Sequence, residues 1–248
     1  MTGWARAALA LALGLGLGGP ALGSCRTVEH EGLPHTVCEA GPGQDLRVFH
    51  TAADGAPYST FSRVAAAVEA EGGRLAFATN GGMYHADRTP VGLLVEGGVE
   101  RARLVTAEGP GNFGLLPNGV FCIGADGRFA VIESRRFARE RPECRHATQS
   151  GPMLVIGGDL HPRFIPGSDS LHLRNGVGVS PDGTRAYLVM SGTRVNFHTF
   201  ARVFRDHLGL RDALYLDGQV SRMYAPGIGR NDLGLPMGPI LGLVAPGG

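Results

Sequence analysis

The chain has 248 residues and a formal net charge of +1, and every one of its 23 Lys or Arg residues is an arginine. A chain without lysine cannot form a lysine Schiff base or a Walker-type phosphate loop, and a charge near zero gives no electrostatic basis for nucleic-acid binding. The length suits one large or two small domains with a sizeable core.

The first 24 residues have the composition of a secretory signal peptide. Arg6 precedes an apolar run of Ala, Leu and Gly, and small residues follow that run. The run is too short and too rich in glycine for a stable membrane span. We therefore expect residues 1–24 to be a signal peptide, residues 25–248 to be the mature domain, and the protein to be exported to the periplasm or the extracellular space. In a second interpretation, residues 22–25 are a lipoprotein cleavage site and Cys25 carries a lipid anchor.

The four cysteines are Cys25, Cys38, Cys122 and Cys144. An even number of cysteines in an exported chain predicts two disulfides. Three connectivities are possible, and the simplest is the local pairing of Cys25 with Cys38 and of Cys122 with Cys144. This pairing makes lipidation of Cys25 the weaker interpretation, because a lipid on Cys25 would leave Cys38 unpaired. The chain contains no CxxC pattern that would indicate a zinc site.

The first third of the chain is predicted to form short strands around one helix. Strands are expected at residues 35–39 and 45–50. Residues 61–71 have apolar positions at helical spacing, with Ser62 as a candidate cap and glycines 72 and 73 as a stop. The apolar runs 75–78 and 91–95 then flank a polar loop, which is a strand–loop–strand pattern.

The remaining two thirds repeat short strands and turns before a second helix. Strands are predicted by the apolar runs at residues 112–116, 120–123, 129–133, 148–156, 177–180, 186–190 and 213–216. The first two flank a hairpin turn at residues 117–119, and another turn lies at residues 126–127. The clearest helix spans residues 195–208 and ends at Gly209. These elements predict a single α+β domain with a mixed, largely antiparallel sheet and about two main helices.

Polar residues stand at the ends of apolar runs in four segments, residues 79–85, 149–152, 171–178 and 214–221. If these strands lie in one sheet with the same ends together, their loops share one cleft. Asp217 would then present a carboxylate at a strand end, although an Asp-Gly pair is also a common turn. Arg174 stands between apolar positions and needs an anion, either a ligand or an internal carboxylate.

Three other residues of the first polar loop have weaker signals. Asn80 can bind a ligand or hold the turn at Gly81 and Gly82. His85 and Asp87 can form an acid–base pair, although exposure in a loop is the commoner fate of such a histidine. The other histidines lack the spacing of a metal site. From the residues alone, the prediction reaches an exported hydrolase or ligand-binding domain with an Asp/Arg/Asn cleft.

Four motifs together resemble one known family. They are Asn80-Gly81-Gly82 followed by an aromatic residue, Ser150-Gly151-Pro152, Arg174-Asn175-Gly176-Val177-Gly178, and Leu216-Asp217-Gly218 with Ser221. In this order they resemble the phosphodiester glycosidases, the bacterial relatives of the mannose 6-phosphate uncovering enzyme. The resemblance spans residues 75–244. It departs from the family where the last motif usually reads Asp-Gly-Gly-Gly-Ser, since Gln219 and Val220 replace two glycines, and where His85 replaces a second aromatic residue.

The resemblance implies hydrolysis of a sugar-1-phosphodiester to a sugar and a phosphomonoester, with a phosphorylated carbohydrate as the partner and no cofactor. A requirement for a divalent metal and the oligomeric state stay open. Asp217 is expected to stabilise or attack the oxocarbenium-like centre, and His85 or Asp87 to move a proton. The expected substrate-binding residues are Asn80, Gly81, Gly82, Ser150, Gly151, Arg174, Asn175, Gly218 and Ser221.

Two alternative functions remain open from the sequence. The first is a non-catalytic envelope module that binds a phosphorylated glycan, which the altered motif at Gln219 and Val220 favours. The second is a metal-dependent phosphodiesterase that cleaves the P–O bond. Its ligands would have to come from Asp87, Asp169, His172 and Asp217.

Overall fold

The computed structural model describes residues 24–247, so the expected signal peptide lies outside the described residues except for Ser24. The strands in this part of the chain are β1 Cys25–His30, β2 Leu33–Ala40, β3 Asp45–Phe49, β4 Gly73–Asn80, β5 Leu94–Glu96, β6 Val99–Ala102, β7 Gly119–Gly124, β8 Phe129–Glu133, β9 Cys144–Ser150, β10 Met153–Ile156, β11 Asp159–Leu160, β12 Asn175–Val179, β13 Ala186–Ser191, β14 Asp212–Asp217, β15 Met223–Ala225, β16 Arg230–Asn231 and β17 Ile240–Pro246. The helices are α1 Phe61–Ala70, α2 Ser134–Glu140 and α3 Phe197–Arg202. A π-helical turn, Val203–His207, continues α3, and a 3₁₀ turn spans Pro226–Ile228.

These strands form three sheets whose pairings are all antiparallel among the described residues. The seven-stranded sheet has the order β1-β2-β13-β12-β14-β10-β11, and the two five-stranded sheets have the orders β16-β15-β4-β17-β3 and β6-β5-β9-β7-β8. Strand β4 therefore pairs with β15 and β17, while β5 pairs with β6 and β9. The polar loop between β4 and β5 crosses from one sheet to another and is not the loop of a simple hairpin. The predicted α+β class with a largely antiparallel sheet is confirmed.

One hydrophobic core joins the three sheets. Leu214 comes from the seven-stranded sheet, Phe77 and Leu241 from the second sheet, and Leu94 and Phe121 from the third, and all five are fully buried in one cluster. Burial of apolar surface is the main favourable contribution to folding, so the sheets are stable only in contact with one another. This common core holds the ends of strands from different sheets in fixed relative positions.

Helix α1 confirms the predicted helix at 61–71 with a different cap. Thr60, not Ser62, accepts a hydrogen bond from the backbone N–H of Arg63, because Thr60 has the extended backbone of an N-cap residue whereas Ser62 already lies within the helix. Val64 and Val68 are fully buried against the second sheet. The apolar spacing therefore identified the buried face correctly.

The second predicted helix, at residues 195–208, is split into two helical types. Helix α3 begins after Asn196, whose side chain accepts from the backbone N–H of Thr199, and the chain widens into a π-helical turn from Val203. Phe200 and Phe204 are fully buried, and they pack on the seven-stranded sheet as their spacing predicts. Gly209 follows with a φ of 66°, which glycine adopts without strain.

Three local predictions are wrong. The single strand predicted at residues 148–156 is two strands, β9 and β10, which belong to different sheets. Residues 112–116 form a loop instead of a strand, because the Asn118 side chain donates to the Phe113 carbonyl and holds the segment in a turn. Strand β7 pairs instead with β8, across the turn predicted at residues 126–127. Helix α2 was missed, and it is a short helix capped by Glu133, whose carboxylate accepts from two backbone N–H groups.

Both disulfides have the predicted local pairing. Cys25 is bonded to Cys38 across β1 and β2, and Cys122 is bonded to Cys144 across β7 and β9. The first bond uses the sulfur that a lipid anchor on Cys25 would need. None of the helices described between residues 24 and 247 has the length and apolar character required to cross a membrane.

Candidate active site

A cavity of about 670 Å³ lies where the ends of strands from two sheets meet. Its wall combines the loop after β4, the segment at residues 111–112, the segment before β12, the turn after β14, and residues 235–236. This volume is typical of sites for small molecules. The polar side chains in the wall include His85, Arg88, Asn112, Ser170, His172, Asp217 and Gln219.

Asp217 is the best-positioned acid of this wall. It is the last residue of β14 and is only 7% exposed. Its carboxylate accepts a hydrogen bond from the backbone N–H of Gln219 at 2.9 Å. Burial raises the pKa of Asp217 above its ordinary value, while backbone N–H groups at residues 218–220 act in the opposite direction. Among the described residues, no basic side chain forms an ion pair with this carboxylate, so its charge is available to a ligand.

A buried pair of asparagines holds Asp217 from behind. The side-chain oxygen of Asn175 accepts from the backbone N–H of Asp217 at 3.0 Å and from the Asn80 side chain at 3.2 Å. The Asn175 amide donates to Thr79 Oγ1 and to the Asn80 carbonyl, and Asn80 Oδ1 accepts from the backbone N–H of Arg222. Asn80 and Asn175 are fully buried and do not line the cavity. Their hydrogen bonds tie β4, β12 and β14 together and so set the position of Asp217.

The glycines and serine of the first two motifs also lie behind the cavity wall. The Gly81 carbonyl accepts from Thr148 Oγ1 at 2.7 Å. A Cβ on Gly82 would lie 2.8 Å from Thr148 Oγ1. The Ser150 hydroxyl donates to the Leu216 carbonyl at 2.7 Å, next to Asp217. A Cβ on Gly151 would lie 2.6 Å from the Asn118 side chain. These positions are closely packed against neighbouring side chains and backbone, and the structure does not bring them to the cavity.

The turn after Asp217 has three positions on the cavity, Gly218, Gln219 and Val220, and one residue that fastens the turn, Ser221. Gly218 lines the cavity, and a Cβ there would collide with the Tyr215 hydroxyl. The Ser221 hydroxyl lies 2.7 Å from the Asp217 carbonyl and 3.0 Å from the Leu173 carbonyl. Ser221 therefore fastens the turn to the segment before β12. Gln219 and Val220, which depart from the family motif, both line the cavity.

Arg174 lies immediately behind the cavity and does not line it. It is 1% exposed, and it donates to the carbonyls of Val195 and Ser170 at 2.8 and 2.9 Å. Its guanidinium lies 3.7 Å from the centroid of the Phe197 ring, a cation–π contact. The positive charge of Arg174 also interacts with the Tyr215 hydroxyl, where it opposes the rise in pKa that burial causes. Arg174 Nη1 and the Tyr215 hydroxyl do not have the geometry of a hydrogen bond with each other. The expected internal carboxylate is absent among the described residues, and burial lowers the pKa of Arg174.

The predicted acid–base pair of His85 and Asp87 does not form. His85 lines the cavity, whereas Asp87 is exposed and outside it. The Asp87 carboxylate accepts from the Thr89 hydroxyl at 2.6 Å and from the Thr89 backbone N–H at 3.0 Å, and these bonds lower the pKa of Asp87. The reason is local, since an aspartate two residues before a backbone N–H closes its own turn. Only His85 of this pair is in reach of a bound molecule.

Sequence reasoning missed Arg88 as a cavity residue. Its guanidinium donates to the Ala86 carbonyl at 2.9 Å and lies 5.5 Å from the centroid of the Tyr84 ring. It forms no ion pair with a carboxylate of the described residues. Burial and the charge of Asp217 raise the pKa of Tyr84, whereas the charge of Arg88 lowers it. The arginine and the aspartate therefore both interact electrostatically with this tyrosine. The signal for Arg88 was its place in the polar loop, where charge alone does not show which side chains turn inward.

The carboxylates and the histidine named for a metal-dependent phosphodiesterase do not gather into a site. Among residues 24–247, no group of three or more His, Cys, Asp and Glu side chains is placed to hold a metal ion. Asp217 and His172 line the cavity, but Asp87 and Asp169 do not. The donor set of this chain therefore does not fit that alternative.

Comparisons with known proteins agree with this fold. A family model described as phosphodiester glycosidase matches residues 73–235, which include every strand that positions Asp217. "Uncharacterized protein YigE" of Escherichia coli (strain K12) is 34% identical over 182 residues, covering 73% of this chain and 70% of that protein. The catalytic domain of zebrafish N-acetylglucosamine-1-phosphodiester alpha-N-acetylglucosaminidase, auto-inhibited by its pro-peptide, superposes with a TM-score of 0.61. The two chains are 14% identical in sequence, and the superposition covers 92% of this chain and 84% of the zebrafish chain. At this identity the comparison shows a shared fold. The chain belongs to the phosphodiester glycosidase family.

Proposed function

We propose that this protein hydrolyses a sugar-1-phosphodiester at the anomeric C–O bond. The observation that carries the proposal is that, among the described residues, one cavity wall holds both a buried carboxylate without a basic partner, Asp217, and an arginine without a carboxylate partner, Arg88. One group suits a centre that becomes positive, and the other suits an anion. A sugar-1-phosphodiester has both features on adjacent atoms.

The chemistry follows from the bond that breaks. As the C1–O bond breaks, C1 gains oxocarbenium character, and the carboxylate of Asp217 stabilises or attacks it. The bridging oxygen leaves with the phosphate as a phosphomonoester. Water supplies the hydroxyl on C1, and its proton passes to the phosphate or to solvent. A phosphate is a good leaving group, so a strong general acid is less necessary than for ordinary glycosides.

The proposed phosphate contacts come from the cavity wall and from the layer behind it. Arg88 and the histidines His85 and His172 line the cavity and can donate to phosphate oxygens. Arg174 acts from behind Tyr215, because a buried charge with no carboxylate partner adds positive potential at low effective dielectric. In this proposal Asn80, Asn175, Ser150 and Ser221 keep Asp217 in place and do not touch substrate.

Isotope labelling identifies the bond that is cleaved. The protein is incubated in ¹⁸O-labelled water with a panel of methyl sugar-1-phosphodiesters. The first sugar in the panel is N-acetylglucosamine, because the name of the zebrafish enzyme contains that sugar. Cleavage at C1 leaves the phosphomonoester unlabelled, and cleavage at phosphorus places the label on the phosphate. Label on the phosphate, or no product across the panel, contradicts the proposal.

A second candidate is a module that binds a phosphorylated glycan without turnover. The observation in its favour is that Gln219 and Val220, where the family usually has glycine, stand in the cavity wall beside Asp217. Their side chains reduce the room next to the carboxylate. Binding of the diesters by calorimetry, with no release of phosphomonoester over a day, would favour this candidate.

We also propose that the domain works outside the cytoplasm, which the two disulfides support because structural disulfides persist in oxidising compartments. Expression of the full chain in a bacterium, followed by fractionation, tests this location. The mass of the exported protein tests cleavage before Cys25.

A further inference from the structure

The mouth of the cavity has an unusual concentration of exposed apolar side chains. Leu233 is 87% exposed, Leu235 is 73% exposed, and Leu171 and Leu173 are exposed as well. Only three other large apolar side chains of the described residues, Val99, Ile165 and Ile228, are comparably exposed. We call the four leucines, Leu171, Leu173, Leu233 and Leu235, the apolar rim.

Both segments of the apolar rim border the cavity directly. Ser170 and His172, which alternate with Leu171 and Leu173, line the cavity, and so do Leu235 and Pro236. The Leu173 carbonyl also accepts from Ser221, in the turn that follows Asp217. Leu235 therefore lies in the cavity wall itself, and Leu171, Leu173 and Leu233 lie within two residues of positions that line the cavity.

The two rim segments are held in place by hydrogen bonds and packing contacts. Arg174 donates to the Ser170 carbonyl, and Asn196 donates to the Ser168 carbonyl at 3.1 Å. On the other side, the Tyr84 hydroxyl donates to the Pro236 carbonyl, and Arg222 packs against Gly234. A positioned apolar surface next to a polar cavity is typical of a binding site for an amphiphile.

Resting on the proposed function, we infer that the apolar rim binds an alkyl chain of the aglycone, so that the substrate class is a glycosyl-1-phospholipid. The order of groups along such a molecule is sugar, phosphate, alkyl chain. With the sugar beside Asp217 and the phosphate beside Arg88, the chain leaves the cavity at its mouth, where the leucines stand. Both ends of the amphiphile then meet surfaces of matching chemistry.

Binding of two matched diesters tests the inference without requiring turnover. Methyl and dodecyl diesters of one sugar 1-phosphate, used below the micelle concentration, are titrated into the full-length Asp217→Asn protein by calorimetry. The sugar is the one turned over in the panel, or N-acetylglucosamine if none is. We expect the dodecyl diester to bind at least about tenfold more tightly, because each buried methylene strengthens binding several-fold.

The matched variants separate the rim from general adsorption. Adding Leu233→Ser and Leu235→Ser together should reduce the ratio of dodecyl to methyl affinity by about tenfold, so that most of the preference is lost. Adding Val99→Ser and Ile228→Ser, which changes exposed apolar residues outside the rim, should leave the ratio unchanged. The ratio is insensitive to the fraction of protein that is folded.

Each result has a distinct meaning. Equal affinity for the two diesters, or an equal effect of the two pairs of serine substitutions, overturns the lipid inference while leaving hydrolysis of the methyl diester intact. A dimer in sedimentation that the rim serines dissociate, with no preference for dodecyl, overturns it in favour of a second copy of the chain. Dodecyl preference without turnover by the wild-type protein supports the rim and contradicts the proposed hydrolysis.

Discussion

Replacement of Asp217 by asparagine separates catalysis from stability more cleanly than any other change in this site. The Asp217 carboxylate is 7% exposed, forms no ion pair among the described residues and accepts a backbone hydrogen bond through Oδ1. Asparagine keeps that acceptor and removes the charge. Since the charge is the feature that stabilises an oxocarbenium-like centre, we expect kcat/KM for the methyl diester to fall by about 10³-fold or more.

The same substitution should not destabilise the fold. Burial raises the pKa of Asp217 in the folded state above its ordinary value of 3.8, so between these two pKa values the folded state binds more protons than the unfolded state. The contribution of this group to stability is therefore fully present below the ordinary pKa and is lost as pH rises through the folded pKa. Above the folded pKa, where wild-type Asp217 is a buried anion, the Asp217→Asn protein should have an equal or higher Tm.

The assay uses a matched control on the same strand. Asp212 stands at the other end of β14, about 17 Å away along an extended strand, and its Oδ1 accepts from the Gly157 backbone N–H. Asp212→Asn should leave kcat/KM close to the wild-type value. Phosphomonoester release and thermal unfolding are measured on both variants at pH 7. Full activity of Asp217→Asn refutes its assignment, and a large fall in Tm refutes the account of its charge.

Three further predictions concern groups around Asp217, and a fourth concerns the buried His146 of β9. Arg88→Ala should raise KM at least about tenfold, since charge-assisted hydrogen bonds to phosphate are lost, and an unchanged KM would remove Arg88 from the phosphate site. Arg174→Lys should lower both kcat/KM and Tm. A lysine cannot donate to the Val195 and Ser170 carbonyls together and also cover the Phe197 ring. An unchanged kcat/KM would count against the electrostatic role of Arg174. Asn175→Ala leaves the Asp217 backbone N–H without its partner, at a cost of roughly 1–3 kcal/mol in urea denaturation, and a neutral effect would contradict the scaffold. Burial lowers the pKa of His146 to about 4 in the folded protein. Between pH 6.5 and 4 the unfolded chain therefore binds more protons at this histidine than the folded protein does, and stability should fall on acidification through that range. In His146→Gln this fall in stability should be smaller, as measured by Tm against pH.

Local sequence patterns predicted the parts of the fold that depend on neighbours in the chain. The spacing of Val64 and Val68 identified the buried face of α1, and the strand before Asp217 was evident from its apolar run and the following glycine. The cysteine count predicted two disulfides, and the structure has the local pairing that was the simplest of the three possible connectivities. Helix α2 was not evident, because a seven-residue helix has too few turns to show a period.

The sequence by itself determined which residues gather near Asp217, since the four motifs that resemble phosphodiester glycosidases do converge behind or along one cavity wall. It did not determine which of them face the cavity. Asn80 and Asn175 are polar residues at strand ends, as a binding group would be, yet the packing of two sheets buries them and turns them toward Asp217. Arg88 and the leucines of the apolar rim became part of the site only through the tertiary structure. The physical reason is that the side of a loop on which a residue points depends on contacts between distant segments, which no local pattern records.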